Sequence, residues 1–474
     1  MSLTAQNRHR KVGCSRSFLV GHMSQRLIIW LIRVITSTFF RRIDIVNIDN
    51  VPENGPVIFA GNHPNALMDG WLLAAKCGRW PLHFMANAKL WNYPMLAPAL
   101  NASGAVPVYS REDADGEVDN EKALEKLHDV VESGNCMGIF PEGISHVQSQ
   151  LSKLKTGAAR VALAVAARGK VQVKIVPCGL NYLHRHRFRS QVLIEFGEPI
   201  VIDNAWIQSY RLDERQTVRQ LTDHLADALA DVTLNAPDWR TLRIIQTVRR
   251  LYKPAKASLA PRAYIELNRR FVAGYLRDLH KPELQALSLA VEDYQARLDM
   301  LGLKDHQLRQ PVTFAHASST VLLRSLNMLI LLPLAIPGAL LHLPVGWAAA
   351  TVGERFSYEK DDIATLKVLA TILLLPLLYL AIAVVVGIYV GPWSALAAIV
   401  ILSFSFLASV RLLEAEAGLL LSMLSVLRLT RLGSELDDLR ATRANLVSKI
   451  RERVDRTIDA DTQRIFVQQD FGNK

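Results

Sequence analysis

Cysteine is scarce and scattered. The chain has four in 474 residues, Cys14, Cys77, Cys136 and Cys178, with no C-x-x-C pair. That spacing argues against a disulfide framework and against a zinc module, and it fits a reducing compartment. Helix-turn-helix, zinc and aromatic-interleaved RNA motifs are also missing, so no nucleic acid partner is expected. The basic N-terminus (Arg8, His9, Arg10, Lys11) is not followed by an uninterrupted apolar stretch and a small-residue cleavage site, so a cleavable signal peptide is not expected. The chain shows no internal repeat and no low-complexity tract. Charged residues make up 21% and are spread throughout, which excludes a multi-span transporter filling the whole length.

Apolar material, by contrast, is ample. Hydrophobic residues are 50% of the chain and mean hydropathy is +0.15, which excludes disorder and directs attention to membrane segments. At about 100–200 residues per domain, two to four structural units are expected. The net charge of +11 suits an anionic membrane face or a phosphorylated substrate.

The chain reads in five parts. Residues 1–42 comprise a basic tail and an amphipathic segment, QRLIIWLIRVITSTFF from Gln25 to Phe40, with Arg33 at its middle. It is short of the roughly 20 apolar residues of a span and reads as an interfacial helix. Residues 43–205 alternate short β-rich runs with helical patterns, the signature of an α/β domain with a mixed sheet flanked by helices. Expected strands are Ile43–Ile48, Pro56–Ala60, His83–Ala86, Ala105–Tyr109, Cys136–Phe140, Val171–Val176 and Gln191–Phe196. Expected helices are Ala66–Cys77, Met95–Ala102, Asn120–Glu132 and Gly157–Ala167. Residues 206–318 read as a basic helical region; Trp239 to Arg270 carries nine lysines and arginines against Glu266 and the preceding Asp238. That stretch suits an anionic leaflet or an acidic carrier protein.

Residues 319–413 are the membrane region. Leu366–Val390 and Ser394–Val410 are long apolar runs joined by Gly391-Pro392-Trp393, a transmembrane helical hairpin. The turn has no Lys or Arg, whereas Arg355, Lys360 and Lys367 on one flank and Arg411, Arg428 and Arg431 on the other are basic. Both flanks are therefore expected on the cytoplasmic side. A full crossing by the earlier run, 327–343, with Pro333, Pro337 and Gly338, would split that charge between compartments, so a re-entrant course is expected there. Residues 414–474 read as an amphipathic, then charged, helical tail.

Several short motifs can carry chemistry. Asn62-His63-Pro64-Asn65-Ala66-Leu67-Met68-Asp69 follows the strand PVIFA and precedes an apolar helical run. On one continuous helix six residues turn roughly 600°, so His63 meets Asp69 only by folding back from the loop. A histidine held by a carboxylate is a general base, whereas separately Asp69 complements the helix dipole and His63 is a polar loop residue. Phe140-Pro141-Glu142-Gly143 puts a carboxylate on a strand-exit loop, where α/β folds bind ligands and where a glutamate can accept hydrogen bonds from substrate hydroxyls. Arg111 ends GAVPVYSR and can grip a phosphate; Lys153 and Lys155 open the helix AARVALAVAA and form an anion site with its amides. Ile175-Val176-Pro177-Cys178-Gly179-Leu180-Asn181-Tyr182 reads as a buried strand running into a turn.

In this order NHPNALMD, GAVPVYSR, FPEG and IVPCGLNY resemble the four blocks of the glycerolipid acyltransferases, which acylate glycerol-3-phosphate and 1-acylglycerol-3-phosphate. NHPN and KTGAARVAL resemble most a bacterial branch similar to the fungal glycerol-3-phosphate enzymes. The resemblance covers about residues 43–200. It implies His63 as the base, Asp69 as its orienting partner, Arg111 on the acceptor phosphate, and Asn62, Glu142, Gly143, Lys155 and Pro177 around the acceptor. Here five residues, not the commoner four, separate His63 from Asp69, and Ser110 stands at the usual arginine position, with Lys89, Lys153 and Lys155 as replacements for Arg111. The resemblance implies acyl-CoA or acyl carrier protein as donor substrate, a glycerophosphate or lysophospholipid acceptor, and neither metal nor cofactor. It further implies an integral membrane protein with its catalytic domain on the cytoplasmic face, in a bacterial inner membrane. The alternative is a non-catalytic membrane protein whose α/β domain binds lipid headgroups or a partner.

Overall fold

The computed structural model describes residues 25–92, 96–109, 121–146, 148–254, 261–301, 303–309, 314–357, 360, 362–431, 433–457 and 466. Two compact units result, residues 1–235 with 357–365, and residues 236–356 with 366–474.

The first unit opens with helix α1 (residues 25–39), which runs into β1 (Phe40–Val46). Then come β2 (Val57–Gly61), α2 (Ala66–Lys76), β3 (Leu82–Asn87), α3 (Ala97–Ser103), β4 (Val106–Val108), α4 (Glu121–Glu132), β5 (Cys136–Ile139) and α5 (Gly157–Ala167). They are followed by β6 (Lys174–Tyr182), β7 (Ser190–Phe196), β8 (Ile200–Val201), α6 (Asn204–Leu212) and α7 (Glu214–Val232). The strands form one mixed sheet in the order β1-β7-β6-β2-β5-β3-β4, with β8 against β6. All pairings are parallel except β6 with β7 and β6 with β8. Every residue of β2 is buried, as befits a central parallel strand covered on both faces.

β2 lies between β5 and β6, its Ala60 opposite Ile139 on one side and Pro177 on the other. All three strands point the same way, so the loops after β2 and β5 and the end of β6 leave the sheet at one edge. In open α/β sheets that carboxyl-end edge is where ligands bind.

Two expectations change here. The strand expected to stop at Val176 continues through Pro177 to Tyr182. Proline costs nothing there, because on that side β6 is changing partner. β8 pairs with Lys174–Ile175 and β7 with Cys178–Tyr182, so no ladder bond needs the missing N–H. The α/β unit also runs past residue 205. Val218, Leu221, Leu225, Leu229 and Val232 of α7 share one core with Val161, Leu163 and Ile175. Gly179 is the point of closest approach, since a Cβ there would lie 1.9 Å from the Val232 carbonyl oxygen.

The second unit is helical: α8 (Trp239–Tyr252), α9 (Pro261–Arg277), α10 (Pro282–Leu301), α11 (Asp305–Leu308), α12 (Phe314–Arg355), α13 (Ile363–Tyr389), α14 (Pro392–Arg431) and α15 (Gly433–Thr457). Leu251, Tyr294 and Leu308, from before the apolar helices, share a core with Leu436, Leu439 and Leu446 of α15, from after them. Ion pairs cross the same seam: Arg443 Nε to Asp305 Oδ1 at 2.9 Å, Arg297 Nη2 to Asp438 Oδ2 at 2.6 Å and Arg453 Nη2 to Asp278 Oδ2 at 2.6 Å. Burial alone would raise the Asp305 carboxyl; Arg443 and Arg309 outweigh it and hold the group below its ordinary value.

Among the described residues, three helices are long and apolar enough to cross a membrane: Ala335–Arg355 within α12, α13, and Pro392–Leu412 within α14. The run expected to be re-entrant is part of α12, one helix through Pro333, Pro337 and Pro344. α12 meets α14 through small residues, with Ser409 Oγ donating to Ala335 O at 2.9 Å and Gly338 against Ser405. His342 Nε2 reaches Tyr379 Oη of α13 at 3.0 Å.

Gly179→Ala is expected to cost about 2 kcal/mol or more, because backbone, not a movable side chain, occupies the space. Thermal unfolding of the detergent-solubilised protein checks this. A midpoint within a degree of wild type would mean that α7 is not pressed on β6 as described.

Candidate active site

The helix that follows β2 starts at Ala66, with Asn65 as its cap residue. His63 and Pro64 therefore stay in the loop, and His63 folds back over the first turn. Its Nδ1 stands 2.9 Å from Oδ2 of Asp69. Ala66 takes a positive φ of 42°, an uncommon conformation for a residue with a side chain, and the reversal depends on it. The His63 ring also stacks on Phe140 at the end of β5, 4.2 Å between centroids and 6° between planes.

Asp69 has no exposure to solvent. Its oxygens are satisfied from three directions: Oδ2 by His63 Nδ1 and by the Asn65 N–H at 2.7 Å, and Oδ1 by the Tyr182 hydroxyl at the end of β6. Burial pushes the Asp69 carboxyl above its ordinary value, while His63, Tyr182 and the Asn65 amide pull it back. Burial and the neighbouring Asp69 carry the Tyr182 hydroxyl well above its usual range, so it keeps its proton and donates. With Nδ1 donating to Asp69, the lone pair of the imidazole sits on Nε2, and the ring, 18% exposed, can offer it to a substrate.

Glu142 was expected to accept hydrogen bonds from substrate hydroxyls; in the structure its carboxylate is engaged by the protein's own groups. Oε1 accepts the His63 N–H at 2.8 Å, and Oε2 accepts the Ser152 N–H at 2.7 Å and pairs with His146 Nε2. The His146 N–H in turn donates to His63 O at 3.1 Å. Glu142 thus fixes the backbone of His63 from inside the protein. Asn62 is likewise spent on structure: it exchanges two hydrogen bonds with the backbone of Leu180 on β6, at 3.2 and 2.7 Å. Gly143 has φ of +78° and lies under the side chain of Lys155, whose Nζ would be 2.5 Å from a Cβ there. The Lys155 N–H donates to Pro141 O at 2.7 Å. Pro177 is buried within β6, and its carbonyl accepts from Gly197. Arg111 and Ser110 lie outside the described residues. Lys89 and Lys153 are exposed.

Tyr182, His146 and Arg185 were not singled out from the sequence. Arg185 Nη1 donates to Pro64 O and to His146 O, both at 3.2 Å, and Asn65 Nδ2 donates to Arg185 O at 3.0 Å. The constellation holds a histidine with a defined tautomer, and it can take a proton from a bound hydroxyl.

Residues 42–181 match the Acyltransferase family, and residues 244–458 match the family described as the glycerol-3-phosphate acyltransferase 2 C-terminal domain. Glycerol-3-phosphate O-acyltransferase 2 of Saccharomyces cerevisiae is 37% identical over 278 residues, 55% of this chain and 37% of that protein. Glycerol-3-phosphate O-acyltransferase 1 of the same yeast is 36% identical over 299 residues, 58% and 39% respectively. An uncharacterised acyltransferase of Schizosaccharomyces pombe is 34% identical over 277 residues, 56% and 41%. The chain thus spans well under half the length of these relatives. The crystal structure of the 1-acyl-sn-glycerophosphate (LPA) acyltransferase from Thermotoga maritima is similar at a TM-score of 0.29 and 16% identity, covering 42% of this chain and 80% of that one. A likeness that low carries no argument here.

Tyr182→Phe removes one of the hydrogen bonds to a fully buried carboxylate. It is expected to lower kcat about tenfold and to raise the apparent pKa of the acidic limb of the pH–rate profile, because Asp69 loses a donor and binds the imidazolium more strongly. An unmoved acidic limb would mean that Tyr182 does not reach His63 through Asp69.

Proposed function

The chain belongs to the glycerolipid acyltransferase family, and we propose that it transfers a fatty acyl group from an acyl thioester to a hydroxyl of glycerol-3-phosphate or 1-acylglycerol-3-phosphate. The observation that carries this reading is the His63–Asp69 pair, 2.9 Å apart, inside the segment that matches the Acyltransferase family.

The reaction follows from the tautomer. The acceptor hydroxyl gives its proton to Nε2 of His63 as its oxygen attacks the thioester carbonyl carbon. The new C–O bond forms, the C–S bond breaks, and the imidazolium returns the proton to the departing thiolate. Asp69 stabilises the imidazolium in between. A thioester is already activated, so a positioned base and an oriented acceptor suffice, with no covalent enzyme intermediate.

The acylated products are membrane lipids, and the chain is built to stay with them. On α1, Leu27, Trp30, Leu31 and Val34 are all exposed at i, i+3, i+4 and i+7, an apolar stripe suited to lying in one leaflet, with Arg26 and Arg33 beside it for anionic headgroups. The helices before α12 and the helix after α14 are packed into one body, so both ends of the apolar region lie on one side of the bilayer. An even number of crossings satisfies that. α12 has three prolines and a mean hydropathy of 1.4 over its apolar window, against 2.8 for α13 and 2.1 for α14. This supports a crossing hairpin of α13 and α14, with α12 as the helix that does not complete a crossing.

Acyl transfer by the detergent-purified protein tests the activity, with labelled palmitoyl-CoA and acyl carrier protein thioester offered against glycerol-3-phosphate, its 1-acyl form and other lysophospholipids. His63→Ala is expected to lower kcat about a hundred- to ten-thousand-fold. No product from folded wild type with any pair would leave the α/β unit as a lipid-binding domain.

Single cysteines test the topology. Cys77, Cys136 and Cys178 are buried free thiols; burial pushes Cys77 up to about 12 and raises the other two, so all three should resist alkylation in the folded protein. With Cys14 replaced, a cysteine at Trp393 is expected to label only from the outer side, and cysteines at Phe356 and Glu435 only from the cytoplasmic side. Opposite labelling of Phe356 and Glu435 would mean that the segments between them cross an odd number of times.

A further inference from the structure

The sheet has two ends, and its pairings decide which of them α1 joins. β6 and β7 are antiparallel, with Tyr182 opposite Val192, so β7 begins where β6 stops. β1 runs parallel to β7, with Phe40 opposite Ser190, so β1 begins there too. β2 runs parallel to β6, with Gly61 opposite Cys178. The C-terminus of α1, the β6–β7 loop and the turn that carries His63 therefore all leave the sheet at one edge.

These three pieces are bonded to one another. The loop reads Leu183-His184-Arg185-His186-Arg187-Phe188-Arg189. At its far end it caps α1. The Arg189 N–H donates to Phe39 O at 2.7 Å, and Arg189 Nη1 donates to Thr38 O at 3.2 Å. Carbonyls at the end of a helix have no intrahelical donor and need such partners. Arg189 adopts a φ of 61° at this reversal, uncommon for a residue with a side chain. The Phe188 ring meets Phe39 edge-on at 5.9 Å. At the near end of the loop Asn65 Nδ2 donates to Arg185 O at 3.0 Å. The loop is thus a fixed bridge from α1 to the turn that carries His63.

The exposed surface of this bridge is amphipathic. α1 buries Ile29, Ile32 and Thr36 and leaves Leu27, Trp30, Leu31 and Val34 exposed. The loop continues the pattern, with Leu183 and Phe188 exposed beside an exposed Arg187. From Gln25 to Arg42 the sequence has four arginines and no acidic residue, and the loop has no acidic residue either. Apolar side chains interspersed with arginine suit the boundary between acyl chains and anionic headgroups. The same chain carries helices long enough to cross a bilayer, so a leaflet is always within its reach.

We propose that the β6–β7 loop is a second membrane contact of the α/β unit. Leu183 and Phe188 enter the same anionic leaflet as the α1 stripe, and Arg187 meets headgroup phosphates. One helix lying in a leaflet is a line contact and leaves the unit free to roll about the helix axis. A second contact off that axis stops the roll. Because the loop is bonded to the turn before α2, the orientation it fixes holds the His63 edge of the sheet toward the lipid. The proposal concerns where the unit sits, and it stands or falls without reference to acyl transfer.

Spin labels on the full chain, reconstituted into phosphatidylglycerol-containing bilayers, test this by their collisions with dissolved oxygen and with a water-soluble nickel chelate. With Cys14 replaced, Leu183→Cys and Phe188→Cys are labelled singly. Leu212→Cys is the water-facing reference: it is exposed on α6, which follows β8 from the opposite edge of the sheet, where Val201 pairs with Lys174. Labels at 183 and 188 are expected to favour oxygen over the chelate relative to the reference, at a depth of about 5–10 Å into the headgroup–acyl boundary. Leu183 is outside the Phe39 contact, so its label reads the loop even if loss of the Phe188 ring loosens the cap. Arg187→Glu should move the label at 183 toward the chelate; no movement would overturn the headgroup pairing. Labels at 183 and 188 that match the reference would overturn the membrane contact. So would labels shielded from oxygen and chelate alike, because protein and not lipid would then cover the loop.

Discussion

A carboxylate with no exposure to water must find all of its hydrogen bonds inside the protein, and Asp69 is in that position. The site is arranged around satisfying it. One oxygen needs the start of α2 and the loop before it, which supply the Asn65 amide and the His63 ring. The other needs Tyr182, which comes from the far end of a strand 113 residues later. Both demands are met only if β2 and β6 lie side by side with their ends in register, and that pairing is the centre of the sheet. Desolvation raises the carboxyl, the donors lower it, and His63 is held in one tautomer by the same balance.

A second buried carboxylate does for the backbone what Asp69 does for the ring. Glu142 accepts the N–H of His63 and the N–H of Ser152, and pairs with His146. It arrives from β5, the other neighbour of β2. The proposed base is therefore gripped from both adjacent strands, by its ring from α2 and β6 and by its main chain from β5. The stacking of His63 on Phe140 adds a third restraint from the β5 side. An imidazole so constrained loses little freedom on binding substrate, which is where orientation contributes most to rate.

Much of this was legible in the sequence, and the division between what was and was not is physical. The runs PVIFA, MGIF and AARVALAVAA showed their structure because local patterning and flanking Gly and Pro mark buried strands and helices. Helix geometry showed only that His63 could reach Asp69 by folding back from the loop, since six residues on a helix could not bring them together. Tyr182, His146 and Arg185 had no such signal. Their importance depends on which strand ends stand next to β2, and pairings between strands so far apart in the chain leave no local trace. The same reason hid the role of Asn62, whose amide matches the backbone of Leu180. Pro177 misled in a different way: proline usually ends a strand, and only the change of partner from β8 to β7 lets β6 run through it.

The helical unit makes an argument of its own about the membrane. A salt bridge such as Arg443–Asp305 joins residues 138 apart, with the three long apolar helices of the described residues between them. The hydrophobic cluster of Leu308 with Leu436, Leu439 and Leu446 does the same. Neither interaction can form across a bilayer, so the packing of the polar helices constrains the path of the apolar ones. Length and hydropathy alone admit three spans, while the closure of this core admits an even number. Of the three, the one with prolines at 333, 337 and 344 also has the lowest mean hydropathy. The constraint thus passes from a polar core outside the membrane to the topology within it, and it agrees with the absence of Lys and Arg from the turn at Gly391-Pro392-Trp393.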